Sequence, residues 1–183
     1  MDEVAEKYGF RYMKADPARG LFLNGKYTKL QGVNLHSDNG ALGIAGTYDA
    51  MRRQLEIMKD MGVNAIRTAH NPYSKTFIDL CSEMGFLVCA ESFDGWGAAK
   101  YSTYDFSVFF LEKVPDDFLG LSALRHTLGD VTASDNDNPM WSDWVQQQFV
   151  YRDINEASVI MYSIGNEVAM NGANPPKIAT DNA

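Results

Sequence analysis

Cysteine is scarce in this chain, and the little there is follows no ligand spacing. Among 183 residues only Cys81 and Cys89 occur, in no CxxC or Cys/His pattern, which argues against a disulfide framework and a zinc site. Cys81 falls on the apolar stripe of a predicted helix and Cys89 inside an apolar strand, so both are expected to be small buried hydrophobes. No apolar run approaches the roughly 18 residues needed to span a bilayer. The opening MDEVAEKYGF has acidic residues where a secretory leader carries basic ones. A soluble, cytoplasmic protein without a membrane partner is the expectation. Positive charge is also short: 16 Lys and Arg face 24 Asp and Glu, a formal net charge of −8. That balance argues against nucleic acid and anionic surfaces and favours a neutral or cationic ligand.

Hydrophobic residues make up 45% and charged residues 22% of the chain, enough apolar material for a packed core. Its distribution alternates between strand and helix. YTKLQGVNLH (27–36) reads as a first strand, followed by a helix over 46–62 with Met51, Leu55, Met58 and Met61 at helical spacing. Thr47 is its expected N-cap and Gly62 its stop. VNAIRTAH (63–70) is a second strand, after which Asn71-Pro72 should open a helix carrying Phe77, Leu80, Cys81 and Met84 and ending at Gly85. FLVCAES (86–92) is a third strand, apolar enough to be covered on both faces. From 93 to 138 the period is lost and a long loop with short helical pieces is expected. Asn138-Pro139 repeats the cap device before a helix with Trp141, Trp144, Val145 and Phe149 inward. ASVIMYSIGNE (157–167) is a fourth strand.

Such alternation implies an α/β fold with a parallel sheet and helices outside. A doubly wound nucleotide binder would carry GxGxxG or GxxxxGK[ST] after its first strand; GVNLHSDNGALGIAG has neither. The pattern fits a partial (β/α)8 TIM barrel, about the first four βα units, with a long insertion after the third strand. In such barrels chemistry sits at the C-terminal strand ends. Here each end is polar: Asn34 and His36, Arg67 and His70, Glu91 and Asp94, Asn166 and Glu167. One polar strand end is ordinarily a capped backbone; four converging are costly to bury without a function. His36 and His70 read either as satisfied structural histidines or as a ligand-contacting pair. Arg67 reads either as a surface ion pair or as the group orienting neighbouring carboxylates. Glu167, closing an apolar strand, is expected to be partly desolvated, which suits a general acid. Asn166 offers an amide that both donates and accepts, and Gly165 permits a tight path.

Three segments carry a resemblance: GLFLNGKYTKLQGVNLHSDNGALG, NAIRTAHNPYSKTFIDLCSEMGFLVCAESFDGW and ASVIMYSIGNEV. Together they resemble the catalytic barrel of glycoside hydrolase family 2, the β-galactosidase and β-glucuronidase family, over 9–98 and 139–168. HSDNGALG and the Gly-Asn-Glu ending lean toward its β-galactosidase branch. The resemblance implies a retaining hydrolase of terminal β-linked sugars, with Glu167 as general acid/base and Asn166 on the hydroxyl beside the reacting carbon. His36, Arg67, His70 and Glu91 match positions that line or support the sugar subsite, and Asp94 and Trp96 match a loop flooring it.

The chain also departs from the family. The nucleophilic glutamate belongs to a later strand that these residues do not contain, and the preceding β-sandwich domains are lacking. Residues 1–20 are expected to be a linker and the last strand of that region, and 21–183 the N-terminal half of the barrel, with an insertion at about 97–138. No cofactor is expected; some relatives bind a divalent cation, but the ligands beyond Glu91 are not matched, so no metal site is assigned. The implied partner is a β-linked oligosaccharide or glycoside. A fragment of this kind should be inactive alone and should self-associate or pair with a missing C-terminal half. Competing readings are a non-catalytic carbohydrate-binding or structural remnant, and a β-glucuronidase or β-mannosidase of the same family.

Overall fold

Strand and helix do alternate along the chain, and an antiparallel meander that the periodicity did not announce precedes them. The computed structural model describes residues 2, 3, 5, 7, 9–95, 108–115, 118 and 138–167. These fall into two compact units, one drawn from 1–92 and 151–163 and the other from 93–150 and 164–183.

The first unit opens with β1 (Met13–Asp16), β2 (Gly20–Leu23) and β3 (Lys26–Tyr27), paired antiparallel in that order. The Asp16 carboxylate accepts from the amides of Ala18 and Arg19 at 3.0 Å and so closes the first turn. Asn24 and Gly25 take positive φ of 49° and 80° in the second. An Asn-Gly pair is the strongest short hairpin signal in sequence, and it lay in the stretch just before the expected first strand.

The parallel sheet follows, in the order β4 (Gly32–His36), β5 (Ala65–Ala69), β6 (Leu87–Glu91), β7 (Val159–Ser163). β4 begins later than expected because the Asn64 side chain takes the backbone before it. Its amide donates to Lys29 O at 2.9 Å and its oxygen accepts from Gln31 N at 2.7 Å. Those groups are therefore withdrawn from ladder pairing.

Helix α1 (Tyr48–Asp60) starts at the expected cap, the Thr47 hydroxyl accepting from Ala50 N at 3.3 Å. Its stripe is narrower than the sequence suggested: Leu55 is buried, while Met61 is 72% exposed beyond the helix end. Helix α2 (Lys75–Met84) is capped by Ser74, not Asn71. The Tyr73 hydroxyl donates to Leu35 O, which holds 72–73 on β4 until Ser74 can accept from Phe77 N. Phe77, Ile78, Leu80 and Cys81 are buried, and Gly85 ends the helix in the left-handed region at φ 76°.

Period-two alternation separates the two faces of the sheet. Ile66, Thr68, Val88 and Ala90 are each at most 1% exposed and form the covered face. Each aliphatic side chain the size of Ile or Val buried there stabilises the fold by about 2 kcal/mol. The opposite face carries Asn34, Arg67, Cys89 and Met161 in one row, in direct register strand to strand. A bulge at Val88/Cys89, where two steps of β7 oppose one of β6, sets Met161 in that row.

Barrel closure takes eight strands, and the described sheet has four. Among the described residues β4 and β7 are each paired on one side only, and Met161 is 50% exposed. Unpaired edges and apolar faces recruit further strands. The 183-residue chain is therefore expected to elute above its monomer mass in size-exclusion chromatography with light scattering. A monodisperse monomer that unfolds cooperatively would contradict this.

The second unit has its own small core, in which Phe93 and Phe110 are buried and Phe109 and Val145 pack against them. It contains α3 (Val108–Leu111) and the first ten residues of α4 (Trp141–Asp153). Asn138 is not a helix cap here. Its side-chain amide donates to Val114 O at 2.8 Å, and Trp141 N bonds to Glu112 O at 3.1 Å. Of the expected inward set on α4, Phe149 is buried, while Trp141, Trp144 and Val145 are half-buried. Trp141 and Trp144 meet Phe118 edge-on at 4.3 and 5.3 Å between ring centres. Most of the expected insertion, and Trp96 with it, lies outside the described residues. Among the described residues no helix is long and apolar enough to cross a membrane.

Candidate active site

Parallel strands all point their C-terminal ends the same way, so polar residues closing each strand collect at one edge of the sheet. In the first unit this gathers Asn34, His36, Arg67, His70, Glu91 and Ser163. Glu91 is the hub. Its side chain is 0% exposed, a position that ionisable groups occupy only when their hydrogen bonds are met. Oε2 accepts from Arg67 Nε at 2.8 Å, Arg67 Nη2 at 2.6 Å and Ser163 Oγ at 2.7 Å. Oε1 faces His70 Nδ1 at 2.5 Å. The backbone amide of Glu91 donates to Thr68 Oγ1 at 2.9 Å. A further Arg67 nitrogen, Nη1, reaches Asn34 Oδ1 at 3.4 Å. The rings of His36 and His70 stand edge to face, 5.0 Å apart at 85°.

Exposure grades this cluster. The side chains of Arg67 and His70 are 28% and 18% exposed, against none for Glu91. The carboxylate thus lies behind the arginine and the histidine, which carry the cluster's reach to solvent. Cys89 corrects the sequence reading: it is half-buried rather than sealed in the core, on the same face as Arg67. Burial raises its thiol pKa, the Glu91 charge adds to the rise, and Arg67 opposes it. Behind the rim, burial also pushes the Tyr73 phenol well up.

The second unit brings Asp94 and Asn166 together. Asn166 Nδ2 donates to Asp94 Oδ1 at 3.1 Å, and Asn166 N donates to Phe93 O at 2.9 Å. Glu167 follows with φ of 46°, the left-handed region, which costs a residue with a Cβ about 1 kcal/mol or more. The strained residue is the glutamate itself, while Gly165, read as permitting a tight path, has no positive φ. Glu167 is exposed. The desolvation expected of a strand-closing carboxylate is not present in this chain, because β7 ends at Ser163 and residues 164–167 run on as irregular backbone. Among the described residues no three His, Cys, Asp or Glu side chains are grouped as a metal ion would need.

Sequence reasoning passed over Ser163 and Thr68, both of which bond Glu91. Ser163 was visible as the single polar interruption of an apolar strand. Its meaning depended on register, since it stands directly opposite Glu91 on β6.

Comparison with known proteins agrees with this architecture. The family model of the glycosyl hydrolases family 2 TIM barrel domain matches residues 17–180. A β-galactosidase of Bacteroides ovatus is 36% identical over 168 residues, which are 92% of this chain and 16% of that protein. A putative β-glucuronidase of Formosa agariphila is 34% identical over 170 residues, 91% of this chain and 13% of that protein. The crystal structure of a β-glycosidase from Bacteroides vulgatus superposes with a TM-score of 0.71 at 36% identity, covering 95% of this chain and 18% of that one. The chain thus spans less than a fifth of the length of each. With the parallel βα order, the family model over most of its length and relatives of this identity in agreement, the chain belongs to glycoside hydrolase family 2 and carries part of its TIM-barrel domain.

Proposed function

We propose that the full-length protein carrying this chain hydrolyses terminal β-glycosidic bonds as a retaining, β-galactosidase-like enzyme, and that these residues supply its acid/base side. Glu167 protonates the bridging oxygen as the bond to the sugar breaks. A glutamate outside these 183 residues takes the sugar as a glycosyl-enzyme, from a position about 5 Å from the Glu167 carboxyl. Glu167 then removes a proton from water, which returns the sugar with its β configuration. Asn166 holds the hydroxyl next to the reacting carbon, and Asp94, which accepts from the Asn166 amide, fixes which way that amide faces. His36, Arg67 and His70 line the sugar subsite with Glu91 behind them, and Trp96 belongs to its floor. On this reading the 183-residue chain has no turnover of its own.

The observation that carries the reading is the Asn166-Glu167 pair: one member anchored by backbone and side chain, the other held in a costly backbone conformation where β7 has just ended. Strain of this kind collects at functional sites, where surrounding contacts maintain it. Family membership supports the reaction class. The substrate is less constrained, since β-galactosidases and β-glucuronidases both stand among the relatives at similar identity. Nitrophenyl β-galactoside, β-glucuronide and β-mannoside, offered separately to the full-length protein, decide it. The galactoside is expected to turn over fastest. Preference for the glucuronide would move the assignment within the family, and binding of galactose without nitrophenol release from any of the three would leave a carbohydrate-binding remnant.

A further inference from the structure

We propose that Glu91 is a positioning residue that holds His70 with its proton on Nδ1, leaving Nε2 bare to accept a hydrogen bond from a sugar hydroxyl. This deepens the glycoside reading above and rests on it. The Glu91 carboxylate has no solvent to share its acceptors with. Three donors converge on Oε2, two from Arg67 and one from Ser163. They fix the plane of the carboxylate and turn Oε1 toward His70 Nδ1 at 2.5 Å. An acceptor-only oxygen at that distance demands a proton on Nδ1. Of the imidazole's polar atoms, Nε2 is then the one left for a ligand. Because the His70 side chain retains 18% exposure while that of Glu91 has none, the histidine is the outward end of the relay.

Stability alone does not explain such a relay. A well-packed apolar group in the place of a buried ion cluster is commonly as stable or more so. What the charged arrangement adds is direction, because it selects one tautomer and hence one hydrogen-bonding sense at Nε2. A hydroxyl approaching a bare Nε2 must donate; approaching a protonated Nε2 it must accept. The tautomer therefore decides how a polyol is held.

Glu91→Gln tests this directly. A glutamine has one oxygen and one amide nitrogen, and the oxygen is drawn to the side with three donors. Its NH₂ then faces His70 Nδ1, which becomes the acceptor, and the ring proton moves to Nε2. The readout is the nitrogen-15 shifts of the imidazole in histidine-labelled protein, with the His70 signals assigned by their loss in His70→Gln. Expected are an Nδ1–H, bare Nε2 ring in the parent, the same ring in Ser163→Ala, and the inverted tautomer in Glu91→Gln. A parent ring protonated on Nε2, whether alone or together with Nδ1, overturns the proposal even if the glutamine variant fails to fold. An unchanged tautomer in a folded glutamine variant also overturns it.

Activity supplies a second arm, using galactosides that each lack one ring hydroxyl. In the full-length protein Glu91→Gln should lower kcat/KM on the parent sugar by about tenfold or more. It should have little effect on the one deoxy substrate that lacks His70's partner hydroxyl. Equal loss on every substrate would mark Glu91 as merely structural and overturn the proposal. If the parent protein hydrolyses no glycoside, the enzymatic reading falls, while the nitrogen shifts still judge the relay.

Discussion

Replacing Glu167 by glutamine in the full-length protein is expected to lower kcat/KM on lactose-like substrates by about three orders of magnitude, within the usual range for a positioned general acid. The reason is the leaving group. A sugar alkoxide cannot depart unprotonated at a useful rate, and glutamine has no proton to give. A dinitrophenyl β-galactoside, whose phenolate leaves unaided, should form the glycosyl-enzyme at close to the normal rate. It should then stall, because the same carboxylate is the base that activates water in the second step. Azide needs no base, so adding it should restore turnover and yield the β-galactosyl azide. Normal hydrolysis of lactose by Glu167→Gln would remove Glu167 from the mechanism. Selective loss with azide rescue is the signature expected of the acid/base residue.

The second large effect is on stability and centres on Arg67. Arg67→Ala deletes two of the three donors on Oε2 of a carboxylate with no exposure. Breaking a buried ion pair from one side costs about 3–5 kcal/mol, since the remaining charge stays buried and under-bonded. The urea midpoint of the barrel's transition should fall accordingly with little change in slope. Arg67→Met combined with Glu91→Leu removes the charge as well as its partner and should recover most of the loss. A single variant that loses less than about 1 kcal/mol would mean that water reaches Glu91, contrary to its burial.

These two residues also show where sequence reading succeeded and where it stopped. Arg67 and Glu91 could be picked out as polar ends of neighbouring strands because period-two alternation and parallel order are local, repetitive signals. Which oxygen meets which nitrogen could not, because that depends on register between strands 24 positions apart in the chain. Ser163, opposite Glu91, was visible only as an oddity in an apolar run. The cap of α2 moved from Asn71 to Ser74 for the same kind of reason. A tertiary bond from Tyr73 to the first parallel strand overrode a good local cap. The Asn24-Gly25 hairpin was local and legible, yet a strand drawn through 27–36 hid it; Asn64, distant in sequence, keeps Lys29 and Gln31 out of that strand.

By itself the sequence determined the α/β class, the parallel order implied by its βα rhythm and the family. Each is carried by short-range periodicity or by contiguous motifs. Only the tertiary structure decided that Glu91 is fully buried and bonded on both oxygens, that Cys89 shares a face with Arg67, and that the glutamate after β7 is exposed in a left-handed backbone. Burial and hydrogen-bond partnership arise from contacts between segments far apart in the chain, and no local pattern of residues encodes their distances.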